Sequence, residues 1–330
     1  MLTLVNSLIG SNSIIRNRRS AYFDGTGDYL DTGDTFQQTL RSDFSWSLWV
    51  KPDDGQPASN QVFLGAHNSS GEDYFKIVLY DTGDADAGKI AIQHSSNADT
   101  ATYKTDNAVF PNGTCDWTHI AVRVQYTSGG ADTSYDIYIN GYAVNGALTG
   151  SIAHGDHADY TNDQNFYIGG NNNNGTLQVP FTGYIDEVAL FTSHLSAANI
   201  AAIYNSGRPF DLINDRGNYD QSSNLRAHWK MFDGLYDDKA NGIVHDQHNP
   251  GYGSELWDGT DGDDANWATH GTNAKEEDDG AVKFTYGNNS SGGYIYLRDS
   301  KDLNTDLTVG AVYRIRAQAK VNTGSVNLAV

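Results

Sequence analysis

Paired acidic side chains are the first candidates for chemistry in this sequence. Retaining hydrolysis of a glycosidic bond needs two carboxylates about 5–5.5 Å apart, which on a β-strand requires acids two or four residues apart on one face. No Glu-x-Asp-x-Glu run occurs in the 330 residues, and the candidate pair, Asp186 and Glu187, is adjacent. Adjacent residues of a regular strand point to opposite faces. The sequence therefore predicts that these acids do not act on one bond and that the protein is not an enzyme.

Cysteine and histidine offer little further chemistry. Cys115 is the only cysteine, so no intrachain disulfide can form. His119 follows it closely, but no third residue that would orient this histidine for nucleophilic catalysis can be named. The closest histidine pairs, within 154–157 and 245–248, occur in loop-like sequence and lack the spacing of a zinc site.

The charge of the chain excludes two classes of partner. With 41 acidic and 21 basic residues, the net charge is -20. Such a surface repels nucleic acid and anionic lipid, so neither nucleic acid nor a membrane is expected as a partner. The N-terminal apolar residues precede the positive charges, the reverse of a secretory signal. We therefore expect synthesis in a cytoplasm.

The spacing of apolar residues predicts an all-β protein. Phe44, Trp46, Leu48 and Val50 alternate with more polar residues, and similar runs recur between Gly- and Asn-rich turns. Period-two alternation with frequent turns is typical of a two-sheet sandwich or barrel. One short helix is indicated after an N-cap at Ser196, with Gly207 at its C-terminal end.

Composition divides the chain into four segments. Residues 1–20 contain Arg16, Arg18 and Arg19 and no acid, which indicates an arm that anchors to an acidic partner or, alternatively, a frayed terminus. Residues 21–212 form the predicted sandwich, and 213–250 a connector. Residues 251–330 are predicted to be a second, incomplete β domain, so we expect the polypeptide to continue.

An ordered series of motifs resembles a known family. The segments are AYFDGTGDYLDTG (21–33), DFSWSLWVKPD (43–53), DWTHIAVRV (116–124), DIYINGYAV (136–144), NFYIGGNNN (165–173) and the stretch that begins PFTGYIDEVALF (180–209). Together they resemble the laminin-G-like domain of the concanavalin A-like lectin/glucanase superfamily. This resemblance implies a two-sheet jelly roll of the kind found in phage structural proteins. Residues 307–330 resemble part of a carbohydrate-binding-module-like jelly roll.

The resemblance also implies two kinds of site. Related sandwiches carry a structural calcium ion, whose ligands here would be Asp24, the Gly25 carbonyl and Asp186; alternatively, Asp186 accepts backbone N–H bonds. A glycan site would combine an aromatic platform with side-chain amides. Its candidates are Trp49, Tyr80, Asn171, Asn172, Asn173 and Asn174. The alternative is that the tryptophan lies in the core and the asparagines form an ordinary loop.

Three functions follow as hypotheses. The first is a non-enzymatic virion structural protein (a phage head fibre, capsid decoration or tail fibre), bound to capsid or tail proteins through its arm. It would be displayed in several copies, as a homo-oligomer or multi-copy assembly on the virion surface, for contact with cell-surface glycan. The second is a bacterial glycan-binding adhesin. The third is a glucanase-type hydrolase of the same fold.

Overall fold

The computed structural model describes most of the N-terminal three quarters of the chain. The described residues are 19–83, 85–126, 132–153, 155–234 and 237–248, together with the backbone of four short strands further on. The chain divides into two compact units, Met1–Pro250 and Gly251–Val330. Arg16, Arg18 and the predicted motif at 307–330 lie outside the described residues.

Sixteen strands and two short α-helices are described in the first unit. The helices are α1 (Gln37–Leu40) and α2 (Ala197–Tyr204). In chain order the strands are β1 (Ala21–Asp24), β2 (Leu30–Asp31), β3 (Phe44–Pro52), β4 (Gln61–His67), β5 (Tyr74–Leu79), β6 (Ile90–Ser96), β7 (Asp99–Thr105), β8 (Thr118–Gln125), β9 (Ser134–Ile139), β10 (Tyr142–Val144), β11 (Gly146–Gly150), β12 (Tyr167–Ile168), β13 (Asn171–Asn173), β14 (Thr176–Gln178), β15 (Thr182–Phe191) and β16 (Leu225–Trp229). The expected all-β fold is confirmed.

These strands form two sheets. The first sheet has the order β1-β15-β3-β8-β9-β10, and β16 pairs with the far half of β15. The second has the order β11-β7-β6-β5-β4-β12-β2, and β13 joins it by running parallel to β4 while pairing with β14. The segment 213–250, predicted as a connector, lies in the first unit and supplies β16 to its sheet.

The core lies between the two sheets. Trp46 of the first sheet is fully buried, and its ring lies 5.6 Å from that of Phe166 and 6.5 Å from that of Trp229. Phe44 packs edge-on against Phe75 of the second sheet at 5.1 Å. The apolar residues that alternate along each strand therefore form the face that packs against the other sheet.

Helix α2 covers the outer face of the first sheet. The Ser196 hydroxyl accepts a hydrogen bond from the Asn199 backbone N–H, and Asn199 Oδ1 accepts one from the Ser196 backbone N–H, so the predicted N-cap is confirmed as a capping box. The helix ends one turn before Gly207, with Asn205 as the left-handed C-cap. Ile200 and Ile203 pack against Ala189 and Phe191, which gives the first sheet a second, smaller core.

Short strands are described in the second unit. β17 (Trp267–Thr269) pairs with β20 (Ile295–Leu297), and β18 (Ala274–Asp278) pairs with β19 (Ala281–Thr285), both antiparallel. Within the residues described in either unit, no helix has the length and apolar character needed to cross a membrane.

Three histidines are buried among the described residues of the first unit, His94, His119 and His228, and the first two have strongly lowered pKa values. His94 lies 3.1 Å from the Tyr135 hydroxyl, and His119 lies 2.9 Å from Ser47 Oγ. In each ring the other nitrogen has no hydrogen-bond partner. Burial lowers the pKa of both His94 and His119 from 6.5 to about 3, so both are neutral in the folded protein at neutral pH.

We predict that this burial makes stability depend on pH. Between about pH 6 and pH 4 the unfolded chain binds a proton at each of these histidines and the folded chain does not, so the free energy of unfolding falls as pH falls. Each contributes a slope of about 1.4 kcal/mol per pH unit. His119→Gln should remove one such contribution in urea unfolding measured across this range, whereas Asn174→Gly, at an exposed position that carries no titratable group, should leave the slope unchanged. Equal slopes in all three proteins would contradict the prediction.

Candidate glycan-binding site

The outer face of the second sheet carries a row of residues from adjacent strands. Gly65 of β4 is opposite Lys76 of β5, which is opposite Gln93 of β6. Their chain neighbours Leu64, Ile77 and Ile92 are core residues. Because side chains alternate along a strand, Gly65, Lys76 and Gln93 face outward.

Gly65 leaves room for two neighbouring side chains. A Cβ atom at this position would lie 2.8 Å from Lys76 Cγ and 3.0 Å from Asn171 Oδ1, closer than atoms normally pack. Asn171 reaches this point because β13 runs parallel to β4, with Asn171 opposite Gly65. Asn171 is 2% exposed, and none of the described residues gives its Oδ1 a hydrogen bond. A buried acceptor without a partner is costly, so this oxygen is a candidate contact for a ligand.

Lys76 lies beside an aromatic ring on the same face. Its Nζ is 4.5 Å from the ring centroid of Tyr74, two residues earlier on β5. The His67 ring meets Tyr74 edge-on at 5.0 Å. Burial lowers the pKa of Lys76 from its usual value of 10.5 because the ammonium loses water contacts.

A pair of tyrosines borders Gly65 on the other side. Tyr167 is opposite Gly65 in β12, and its ring stacks on Tyr29 with 4.1 Å between centroids. Burial, followed by the hydrogen bond with Tyr29, raises the pKa of Tyr167 to about 12. Tyr29 is 44% exposed. We name the Gly65 site as the set Gly65, Tyr74, Lys76, Gln93, Tyr167 and Asn171.

The sequence profile of the concanavalin A-like lectin/glucanases superfamily matches residues 24–201. The chain belongs to this superfamily. A comparison with curated proteins finds no match. The superfamily assignment confirms the fold that the ordered motifs predicted, and it makes the sandwich a lectin-like domain.

Solved structures with a related fold have low sequence identity. The CBM40 module of the Ruminococcus gnavus IT-sialidase is 15% identical, covering 57% of this chain and 97% of that chain, with a TM-score of 0.43. The NanB sialidase from Streptococcus pneumoniae is 19% identical over 60% of this chain and 29% of that chain (TM-score 0.43). A Bacteroides ovatus protein, provisionally described as carbohydrate binding, is 16% identical, covering 85% of this chain and 60% of that chain, with a TM-score of 0.43.

Within this lectin-like fold, two predicted glycan residues fall on the Gly65 face. Asn171 lies in the site itself. Tyr80 touches its border, since Gln93 Nε2 donates to the Tyr80 hydroxyl at 3.3 Å, and Lys104 Nζ lies 5.3 Å from the Tyr80 ring centroid. Tyr80 and Asn171 are therefore linked across the sheet by Gln93, Lys76 and Gly65, which lie between them.

The other predicted asparagines hold the loop together. Asn172 Nδ2 donates to the Asn165 carbonyl at 2.8 Å, and its Oδ1 accepts from the Gly175 N–H at 2.8 Å. Asn173 Nδ2 donates to Gln178 Oε1 at 3.0 Å, which links β13 to β14. Asn174 is exposed and adopts a left-handed turn conformation, with φ of 51°. Asn172 thus has the alternative, structural role that the sequence left open.

Trp49 does not join the Gly65 site. It points away from Trp46, as the alternation predicted, but that face of the first sheet lies under α2. Trp49 is 8% exposed, and its ring stacks on Tyr204 of α2 at 5.7 Å. The proposal of Trp49 as an open glycan platform is corrected, because a helix covers its ring.

The residues predicted to bind calcium are not brought together. Asp24 is opposite Thr182 in β15, whereas Asp186 is four residues further along that strand, a separation of about 13 Å. Asp24 Oδ1 accepts from the Thr26 N–H at 2.8 Å, and these local hydrogen bonds lower the pKa of Asp24. Asp186 Oδ1 accepts from the Glu187 N–H at 2.8 Å, the alternative role considered for it.

The predicted ligand set therefore does not fit a calcium ion. Gly25, between Asp24 and Thr26, stays at the Asp24 end of the strand and packs against Thr182. Among the residues that the structure describes, no three His, Cys, Asp or Glu side chains are grouped to hold a metal.

A β-bulge changes the geometry of Asp186 and Glu187. The pairing of β15 with β3 shifts between Asp186 and Ala189, and Glu187 has φ of 47°. The extra residue lets both acids face the covered side: Asp186 is opposite Trp49, and Glu187 Oε2 lies 2.6 Å from Nε2 of His228. The prediction that they point to opposite faces is wrong, because a bulge breaks regular alternation. Both acids are enclosed, with 5% and 4% exposure.

The sequence analysis missed most of the Gly65 site. A glycine within the strand-like run QVFLGAH signals a close approach of other groups. In the run YFKIVLY, period-two alternation puts Tyr74 and Lys76 on one face of the strand and the apolar Phe75 and Ile77 on the other. What sequence could not supply is the pairing that brings Asn171 and Tyr167 to Gly65, because those contacts are distant in the chain.

We predict that Asn171 and Asn172 contribute differently to stability. Asn172→Ala breaks two hydrogen bonds and should lower the free energy of unfolding by about 1–3 kcal/mol. Asn171→Ala removes a buried oxygen that lacks a partner, so it should leave that free energy unchanged or raise it slightly. Urea unfolding of both variants measures the difference. Similar losses in both would show that Asn171 supports the loop rather than awaiting a ligand.

Proposed function

We propose that the lectin-like sandwich is a non-catalytic glycan-binding module and that the Gly65 site is its binding surface. The observation that carries this proposal is the buried Asn171 Oδ1, which lies 3.0 Å from the point where a Cβ of Gly65 would be and has no hydrogen-bond partner among the described residues. Sites for small polar ligands combine apolar or aromatic surface with a few placed polar groups. The Gly65 site offers that combination on an outer sheet face.

The chemistry of the site suits a sugar. A hydroxyl group of a pyranose can donate to Asn171 Oδ1, which removes the cost of the unpaired acceptor. The face of a sugar ring carries C–H groups that pack on aromatic rings, and Tyr74 and Tyr29 supply such rings at the border, Tyr29 being supported from below by Tyr167. The half-buried amide of Gln93 adds a donor and an acceptor.

Several observations support a non-enzymatic role. Asp186 and Glu187 are close, but they are buried on a face that α2 covers, where a glycosidic bond has no access. Burial raises the pKa of the Cys115 thiol to about 11, which leaves it protonated and a weak nucleophile at neutral pH. The hydrolase hypothesis therefore ranks behind binding.

We predict that the full chain binds at least one glycan on an array without releasing sugar from it. Asn171→Ala should abolish that binding while the protein stays folded, because the variant loses the side-chain amide and keeps the backbone pairing of β13 with β4. Asn174→Gly is the matched control: it changes a nearby exposed asparagine at a left-handed position that glycine adopts freely, and binding should persist. Absence of any binding, unchanged binding by Asn171→Ala, or release of reducing sugar would each overturn the proposal.

A second, more specific proposal concerns where this module is located. We propose that it is displayed in several copies on a virion surface, as a head fibre, capsid decoration or tail fibre, with residues 1–20 as the attachment arm. The proposal is supported by the cluster Arg16, Arg18 and Arg19 in a chain of net charge -20. The arm meets the sandwich where the Arg19 N–H donates to Asp233 Oδ2 at 2.7 Å. A bacterial glycan-binding adhesin is the second candidate.

Deletion of residues 1–18 distinguishes a virion component from a bacterial adhesin. It leaves Arg19 and β1 in place, so we expect the sandwich to keep its unfolding midpoint and its glycan binding. Particles assembled with the truncated chain should carry much less of it on a quantitative immunoblot if the arm attaches it. Equal incorporation of truncated and full-length chains would refute the attachment role.

A further inference from the structure

Lys76 is a lysine of the Gly65 site that is not paired with a carboxylate of the described residues, and this bears on the class of glycan that the proposed site takes. Four cations each bind a carboxylate: Lys89 and Lys104 bind Asp86, Arg123 binds Asp136, and Arg226 binds Asp34. Within the part of the chain that the structure describes, Lys76 has no such partner although it is half-buried. Lys51 is likewise half-buried without a carboxylate partner, but it lies on the first sheet, whereas Lys76 lies in the Gly65 site.

No acid of this sheet face is placed to pair with Lys76. Along the row of opposite residues, the first carboxylate is that of Asp31, three strands away through Tyr167 and Gly65, or about 14 Å. On the side of β5, Glu72 is exposed and precedes the strand by two residues. His67, the other titratable group beside Tyr74, is a base.

A half-buried ammonium without a counter-ion costs stability. The face of the Tyr74 ring, 4.5 Å from Nζ, offsets part of that cost through a cation–π contact. The lowered pKa of Lys76 indicates that the ring contact does not fully replace the hydration that the ammonium loses on burial. An anionic group from outside the chain would supply the missing partner.

Resting on the proposed function, we propose that the Gly65 site selects acidic glycans, with a sugar carboxylate paired to Lys76 and a neighbouring hydroxyl donating to Asn171 Oδ1. Lys76 Cγ and Asn171 Oδ1 both lie within 3.0 Å of the point above Gly65 where a Cβ would be. The Lys76 and Asn171 side chains therefore meet above Gly65, and a pyranose ring bound there can present a carboxylate to one and a hydroxyl to the other. The overall negative charge does not favour anions, and charges beyond about 8 Å are screened at physiological salt, so the preference depends on this local contact.

Two kinds of sugar present a carboxylate on a pyranose ring: uronic acids and sialic acids. Isothermal titration of the full chain with galacturonic acid oligosaccharides and with a sialylated oligosaccharide tests both, each beside its methyl ester, which removes only the charge. We expect one acid to bind about tenfold or more tightly than its ester, the range for a hydrogen bond to a charged group. The acid that shows this preference identifies the source of the carboxylate.

Variants at Lys76 test the assignment. Lys76→Gln removes the charge and keeps a polar side chain one atom shorter, so acid and ester should bind about equally, within about twofold. Lys76→Arg retains the charge and should retain the preference for the acid. The control is Lys51→Gln, a half-buried lysine of β3 in the first sheet, which should behave as the unmodified chain. Unfolding midpoints confirm that each variant is folded.

The outcomes separate this inference from the proposed function. Equal affinity of the unmodified chain for acids and esters overturns the selection of acidic glycans and leaves glycan binding standing. An acid preference that survives Lys76→Gln overturns the role of Lys76. Failure to bind any glycan, charged or neutral, overturns both.

Discussion

The burial of apolar side chains between the two sheets is the constraint on which the rest of the structure depends. Trp46, Phe166 and Trp229 meet in this layer, and their positions fix which residues of every strand point inward. A shift of register by one residue would turn each strand over. The row formed by Gly65, Lys76 and Gln93 exists only because their neighbours are committed to the core. The outward site is thus a consequence of inward packing.

The outer faces of the two sheets differ in how far their polar side chains are covered. On the first sheet, α2 and β16 enclose polar groups such as His119, Glu187 and His228. Their hydrogen bonds, including those of Ser47 with His119 and of Glu187 with His228, are internal. On the outer face of the second sheet Tyr74, Lys76 and Gln93 are half-buried, whereas Gly65, Tyr167 and Asn171 are buried between their neighbours. A ligand as large as a sugar can therefore reach the half-buried residues of the second sheet but not the enclosed acids of the first.

Sequence reasoning succeeded where the relevant interaction is local. Alternation in 44–50 predicted which face is buried, and Ser196 predicted the start of α2, because both depend on nearby residues. It failed where one residue alters the period: the bulge at Glu187 places two adjacent acids on the same side. It also failed where distant strands pair. The register of β1 on β15 separates Asp24 from Asp186, and the parallel pairing of β13 with β4 brings Asn171 to Gly65. Neither register can be read from one sequence.

The central claim is that ligand binding occurs on the open face of the second sheet, around Gly65. Amide chemical shifts of the isotope-labelled protein, followed by NMR during titration with a glycan that binds, test it most directly. The account predicts that the largest shifts cluster at Gly65, Lys76 and Asn171, with small changes on the first sheet. The largest shifts at Tyr22, Tyr184 and Trp117, an exposed aromatic group on the first-sheet side, would contradict it.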